Sequence, residues 1–465
     1  MRQLIQGGAV FLGEFLAMVD LLVVDGKIAK IGRDFQSSDA DATLDASGCW
    51  VLPGGIDVHT HLEWSWGGTT TVDDMVSGTR AAVCGGTTTV ANFIQPPVGQ
   101  PFAELLAHWK EKAQGSWCDY GFHAIVSEAR PDWLSTLPVL REEGVGSIKV
   151  FTAYPGSLMM SDADLFQVMR AAKAAGILTM VHAENGPVID VIAQEAIDDG
   201  KYQAKYHGLT RPPILEGEAV FRVGELARVA DAPVYIVHLS SEEALAALRM
   251  VKGLGADINA ETCPQYLFLD DRVYTSDDFS AAKYVYTPPS RSATDTKTLL
   301  GAVLSDDVNI VSSDHCPFDF MGAKQRGVED FRKIPNGGPG IETRVPMTLE
   351  AVFQGRIPLN KAARAVSTNA AKQFGLFPKK GALAPGSDAD LIVVDYEHPR
   401  TRVIAQSGMH HRVDYTPFEG FECRGFPRDV MVGGQWLVRN GKWAGGNPHG
   451  TFAPMHAVSA GDGVR

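Results

Sequence analysis

His59 and His61 stand two residues apart in the run Ile56-Asp57-Val58-His59-Thr60-His61, whose apolar members read as a buried strand. Side chains at i and i+2 of a strand share a face, so the two imidazoles project together, a spacing that suits a divalent metal. A hydrogen-bonded pair of core histidines would give the same pattern, so the pair alone decides nothing. Three further apolar runs end in similar chemistry: Met180-Val181-His182, Ile236-Val237-His238 and Ser312-Ser313-Asp314. One histidine at a strand end is ordinary structure. Four histidines and a carboxylate at the same end of parallel strands are hard to explain as packing. Their donors are nitrogen and oxygen without thiolate, which points to Zn²⁺, with Mn²⁺, Co²⁺ or Fe²⁺ as alternatives. Five such groups exceed the three that one catalytic zinc takes, so the set predicts a two-metal centre. Lys149, inside Ile148-Lys149-Val150-Phe151, is an oddity, because a charged amine in an apolar strand costs several kcal/mol unless it is paired. It snorkels or pairs with a carboxylate, or it goes neutral and takes up CO₂ to become an anionic bridge between two metals.

Those residues need strands that end on one face. Apolar runs at 55–61, 87–94, 120–127, 147–153, 177–184, 233–240, 258–262 and 309–314 read as eight buried parallel strands. Helical spacing lies between them, as at 162–175 (Ser161 as N-cap, Gly176 as stop) and 241–254. Eight alternating pairs predict an α/β chain with a (β/α)₈ TIM barrel, whose strand C-termini line the active-site face. Both chain ends read differently. Leu21–Val24 leads through the hairpin signal Asp25-Gly26-Lys27, and strand-like runs return at 389–395, 429–432 and 436–438, before a turn at Asn440-Gly441-Lys442. A small β-sandwich built from 1–51 and 375–445 is therefore expected around a barrel at 52–374. Residues 446–465, rich in Gly, Pro, Ala and Ser, read as a C-terminal tail, or an arm laid on a neighbour.

The 465 residues carry 42 Lys+Arg against 55 Asp+Glu, a net charge of −13, so neither nucleic acid nor an anionic membrane is an expected partner. Six cysteines (Cys49, Cys84, Cys118, Cys263, Cys316, Cys423) are scattered without a CxxC pair, which suits reduced thiols in the cytoplasm. Glu14 and Asp20 break the apolar N-terminus, no cleavage motif follows, and no run of about 18 apolar residues suggests a membrane span. No Walker loop or GxGxxG opens a helix, so nucleotide binding has no support.

With these residues in place, the chain resembles the amidohydrolase superfamily and, within it, the hydantoinase/dihydropyrimidinase group. The likeness spans nearly the whole length. It runs through GGIDVHTHL (54–62), GTRAAVCGGTTTV (78–90), IKVFTAYPG (148–156), VHAEN (181–185), LTRPP (209–213), HLSS (238–241), AETCPQYL (260–267), SSDHCPF (312–318) and IPNGGPGIE (334–342). The resemblance implies that His59, His61 and Asp314 bind a buried metal and that His182 and His238 bind a more exposed one. Carboxylated Lys149 would bridge the two. It implies a hydroxide held between the metals, Tyr154 stabilising the oxyanion, and Asp314 serving as base and then acid. Backbone groups at Thr287 and Asn336 would hold the amide edge of the ring. The implied reaction opens hydantoins or dihydropyrimidines to N-carbamoyl amino acids, in a homotetramer.

The departures are informative. Dihydroorotases and allantoinases usually carry an arginine soon after the histidine pair, and here Leu62-Glu63-Trp64 follows, so those activities fall behind. The loops at 63–68 and 92–97 are also unusual. Trp64 and Trp66, with Leu158 and Met159, predict an apolar pocket for bulky or aromatic 5-substituents, in preference to the dihydrouracil of a dihydropyrimidinase in pyrimidine breakdown. Collapsin response mediator proteins share the fold as non-enzymatic binding proteins that have lost metal ligands. Retention of all six positions argues against that role. His315, His123, His410 and His411 read as structural, and Cys263 and Cys316 as buried fillers.

Overall fold

The computed structural model describes residues 1–95, 101–276 and 278–457. Eight parallel strands form its centre: β1 (Gly55–Thr60), β2 (Thr87–Ile94), β3 (Asp119–Ile125), β4 (Ser147–Phe151), β5 (Leu178–His182), β6 (Val234–Ile236), β7 (Ile258–Thr262) and β8 (Ile310–Val311). Each pairs with the next in sequence. The ring closes through a parallel bridge between Thr60 and His315, with the His61 amide donating to the His315 carbonyl at 2.8 Å. The strands are apolar and almost wholly buried, as a sheet covered on both faces requires.

The connecting helices begin where the sequence signals them. Ser161 accepts from the Asp164 amide at 3.1 Å to start Asp162–Ala174, and Ser241 from Ala244 at 3.2 Å to start Glu242–Gly253. The first buries Leu165, Val168, Met169 and Ala172, the i, i+3, i+4, i+7 stripe that lays a helix on a sheet.

Two antiparallel-rich sheets flank the barrel. One contains Arg2–Gln6, Asp20–Val24, Lys27–Gly32 and Ala42–Asp45; the other joins Cys49–Pro53 to Leu391–Asp395 and Asp429–Val432. Ile5, Leu21, Val23 and Ile28 of the first meet Val51, Leu391, Val393 and Met431 of the second in one core, a sandwich made from both chain ends. Its hairpins turn at Asp25-Gly26 (φ 47° and 79°) and Asn440-Gly441 (φ 53° and 72°), the paired left-handed residues that tight hairpins need. Within 375–445, residues 402–423 leave both sheets. There Ile404, Phe418 and Cys423 pack on Leu269 and Met347 of the barrel.

As far as Ala457, the tail straps its own barrel. Tyr120 donates to the Thr451 carbonyl at 3.0 Å, and Met455 to that of Gly144 at 2.8 Å. Gly121 makes room, since a Cβ there would lie 2.9 Å from the Met455 side chain. Low periodicity hid the apolar Phe452 and Met455, which supply the contact. Residues 458–465 of the tail, and 96–100 of the loop after β2, lie outside the described residues.

The barrel floor rests on a buried ion pair. Asp57, on the face of β1 that carries His59, accepts from the Ser313 amide at 3.1 Å and lies 3.5 Å from Arg344. Arg344, fully buried, also donates to the carbonyls of Val311 and Val366 at 2.9 and 3.0 Å. Arg344→Met strands the Asp57 charge, so stability should fall by roughly 3–5 kcal/mol. The urea midpoint reads this loss. Adding Asp57→Asn should recover part of it, and an unmoved midpoint in the single variant would contradict the role.

Candidate active site

The groups singled out above gather at the C-terminal mouth of the barrel. His59 ends β1 with His61 just beyond it, Lys149 lies in β4, and His182 closes β5. His238, Asp314 and Tyr154 follow β6, β8 and β4 in left-handed backbone, at φ 41°, 51° and 65°. Non-glycine residues in that region cost about 1–3 kcal/mol each and persist where the surroundings enforce them. Three at one mouth mark where the fold stores strain.

The donor atoms converge. Nε2 of His59 lies 3.3 Å from Nε2 of His61, 3.0 Å from Oδ1 of Asp314 and 2.8 Å from Nζ of Lys149. Oδ1 of Asp314 is 3.6 Å from His61 Nε2. Beside them, Nδ1 of His182 lies 2.9 Å from Nε2 of His238. Lone pairs crowded in this way repel unless a proton or a cation sits among them, and the nitrogen and oxygen set is one that zinc-like divalent ions favour. The residues therefore fit a pair of cations. Another carboxylate group among the described residues, Asp119, Asp388 and Asp390, is already filled by the Lys380 ammonium, 2.5, 3.0 and 2.6 Å from them respectively.

Two glutamates outside the six expected positions orient these imidazoles. Glu261 in β7 accepts from Nδ1 of His59 and, at 3.1 Å, from the hydroxyl of Tyr235. Its hold on the Nδ1 proton leaves Nε2 of His59 as a lone pair facing the site. Glu184 takes Nε2 of His182 at 2.9 Å and is backed by Arg211 at 3.2 Å. A signal was present. Glu261, like Lys149, is a charged residue inside an otherwise apolar strand.

Burial sets the protonation states. Desolvation, joined by repulsion from Lys149, drives His61 well below the ordinary imidazole value, and desolvation with repulsion from His182 does the same to His238, so both imidazoles are neutral at pH 7. Burial pulls the Lys149 amine down to about 8, although Asp314 and Glu261 oppose it. Desolvation is the largest influence on Asp314 and would raise it, but the hydrogen bond and attraction from His59, with His238 and Lys149, together outweigh it and hold the carboxyl below its usual range. Burial raises the Tyr154 phenol, which stays protonated.

A cavity of about 40 Å³ opens onto these groups, lined also by Trp64, Tyr154, Thr287, Cys316 and Asn336. Trp66 stacks on Trp64 with centroids 5.8 Å apart and meets Tyr154 edge-on at 5.1 Å, roofing the mouth. A larger cleft of about 800 Å³ runs beside both indoles and Trp109. Leu158 and Met159 are not among the residues lining the cavity. The chain coils after Tyr154, whose carbonyl faces three following amides at 3.2 Å, and this tucks Leu158 into the apolar core. Cys316 is more than a filler, since it forms part of the wall. His315 is held by Asp73 at 3.1 Å, His123 by Ser147 and the Val58 carbonyl, and His410 by Glu342.

A parallel barrel with histidines, a carboxylate and a lysine converging at its mouth is the frame of a metal-dependent hydrolase. The amidohydrolase family model matches residues 50–437. The chain is 45% identical to the D-hydantoinase of Geobacillus stearothermophilus, over 97% of this chain and 96% of that protein. It is 36% identical to the D-phenylhydantoinase of Escherichia coli O1:K1, over 97% and 98% respectively. A solved dihydropyrimidinase from Brevibacillus agri superposes with a TM-score of 0.94 at 41% identity, covering 98% of this chain and 99% of that one. The chain belongs to the amidohydrolase family and, within it, to the hydantoinase/dihydropyrimidinase group of cyclic amide hydrolases. Among the described residues, no helix is long and apolar enough to cross a membrane.

If the two glutamates orient ligands, Glu261→Gln and Glu184→Gln should each weaken metal affinity about 10–100-fold. Competition with a chelator followed by elemental analysis measures it. Parent-like retention in both variants would contradict the assignment.

Proposed function

We propose that this chain opens 5-substituted hydantoins to N-carbamoyl amino acids at a centre of two divalent cations, zinc first among the candidates. The observation that carries the reading is the convergence of six donor side chains beneath one roofed cavity. His59, His61 and Asp314 would hold one cation, His182 and His238 the other, with Lys149 between them. Bound there, such ions lower the pKa of water and polarise a carbonyl oxygen.

The chain's own groups account for the remaining steps. Burial lowers the Lys149 amine to about 8, which raises the share of its neutral form; that form adds CO₂ and releases one N–H proton to solvent, and the resulting carbamate offers two oxygens where an ammonium offered none. Asp314, kept ionised, takes the proton of the attacking water and returns it to the departing ring nitrogen. Tyr154, kept protonated, donates to the oxyanion that develops on the carbonyl. Backbone groups at Thr287 and Asn336 hold the amide edge of the ring. The stacked indoles of Trp64 and Trp66 exclude water and present an apolar wall to the 5-substituent. The names of the relatives, hydantoinases, a phenylhydantoinase and a dihydropyrimidinase, support this substrate class. The proposal includes a homotetramer in the cytoplasm. Six buried, unpaired cysteines fit a reducing compartment, and exposed Leu209 and Ile214 offer apolar surface to another copy.

Comparison of kcat/KM on 5-phenylhydantoin and dihydrouracil should favour the phenyl compound, and a preference for dihydrouracil would remove the apolar-pocket assignment. Asp314→Asn should keep part of its metal and lose about 10²–10⁴-fold in kcat. Undiminished turnover would refute the proton shuttle.

A further inference from the structure

Lys324 lies in the short 3₁₀ turn Ala323–Gly327 and is fully buried, with no carboxylate among the described residues within ion-pair distance. Its Nζ donates to the carbonyl of Val285 at 3.1 Å and to that of Pro335 at 3.0 Å. Val285 stands two residues before Thr287, and Pro335 stands one before Asn336, both of which line the cavity. Neither stretch belongs to a helix or strand. Apart from Lys324, one backbone bond joins them directly, from the Gly337 amide to Val285 at 3.0 Å. A third tether fixes the first stretch from behind, where Nε2 of His207 meets the Tyr286 carbonyl at 2.9 Å.

A buried lysine without a counter-charge is expensive, and an aliphatic side chain would ordinarily replace it. Here burial lowers the amine to about 7. The neutral form carries two N–H bonds, one for each carbonyl. The two carbonyls therefore account for the amine, and they sit at the roots of the two loops that enter the site.

We propose that Lys324 is a positioning residue, which sets the spacing of the Thr287 and Asn336 backbone groups and thereby the affinity for the substrate ring. This inference rests on the ring-opening reading above. Lys324 touches neither the cavity nor the metal ligands, so its effect should fall on binding and spare the centre itself.

The test uses zinc-loaded parent, Lys324→Met and Lys324→Gln, assayed on 5-phenylhydantoin with metal content measured alongside. The methionine keeps the stem and loses both donors. The glutamine restores an amide NH₂ with two. Loss of binding that is equal in ground and transition states raises KM and spares kcat, so the Met variant should show KM raised about tenfold or more, kcat within about threefold and unchanged metal content. The Gln variant should recover most of the lost KM. Parent-like KM in folded, loaded Lys324→Met overturns the proposal, as does a lowered melting temperature with unchanged kinetics in both variants. Failure of both to accumulate as folded, loaded enzyme also counts against it and makes Lys324 a folding determinant. The parent is assayed first: if it opens no cyclic amide, the functional reading itself falls, whatever the variants do.

Discussion

Charge cannot be buried alone, and this barrel buries a great deal of it. Lys149, Asp314, Glu261, Glu184 and Asp57 all lie out of water in or beneath the mouth. The three carboxylates that are not themselves at the donor cluster are compensated by neighbours: Glu261 by the Nδ1 proton of His59, Glu184 by His182 and Arg211, Asp57 by Arg344 and backbone amides. These pairings orient the imidazoles more than they stabilise the fold, because desolvation consumes most of the Coulombic gain. The strands supply rigidity, and the polar network turns rigid positions into directed lone pairs.

The barrel and the sandwich answer different needs. A closed parallel sheet gives eight strand ends pointing one way, and the site takes its groups from those of β1, β4, β5, β6 and β8. The sandwich stacks the two chain ends on each other, and the tail seals the opposite side of the barrel by strapping β3. On the proposed function, discrimination between substrates falls to the loops at the mouth. Trp64 and Trp66 flank the entrance, and Lys324 bonds the two irregular stretches that line the cavity.

Much of this was legible from residue order. Strand ends with histidine at i and i+2, a lysine inside an apolar run, and serines before helical stripes each carry local physics that the fold did not override. Glu261 carries the same mark as Lys149, a charge inside an apolar strand, but only the closed barrel brings it against Nδ1 of His59. Leu158 and Met159 fall outside the cavity lining for another reason: the turn after Tyr154 depends on a left-handed residue, and nothing in the residue types announces that Tyr154 adopts one. Lys324 sits in a polar turn whose composition reads as exposed, and only tertiary packing shows it to be buried. The tail's docking was equally hidden, since it relies on a missing side chain at Gly121.

The central claim is that Lys149 changes from a cation into an anionic bridge between two metals. Anomalous scattering from crystals of zinc-loaded protein tests it most directly. The account predicts two peaks, one amid His59, His61 and Asp314 and the other beside His182 and His238, with extra density continuous with Nζ of Lys149. A bare amine in fully loaded crystals, still directed at His59, would contradict it.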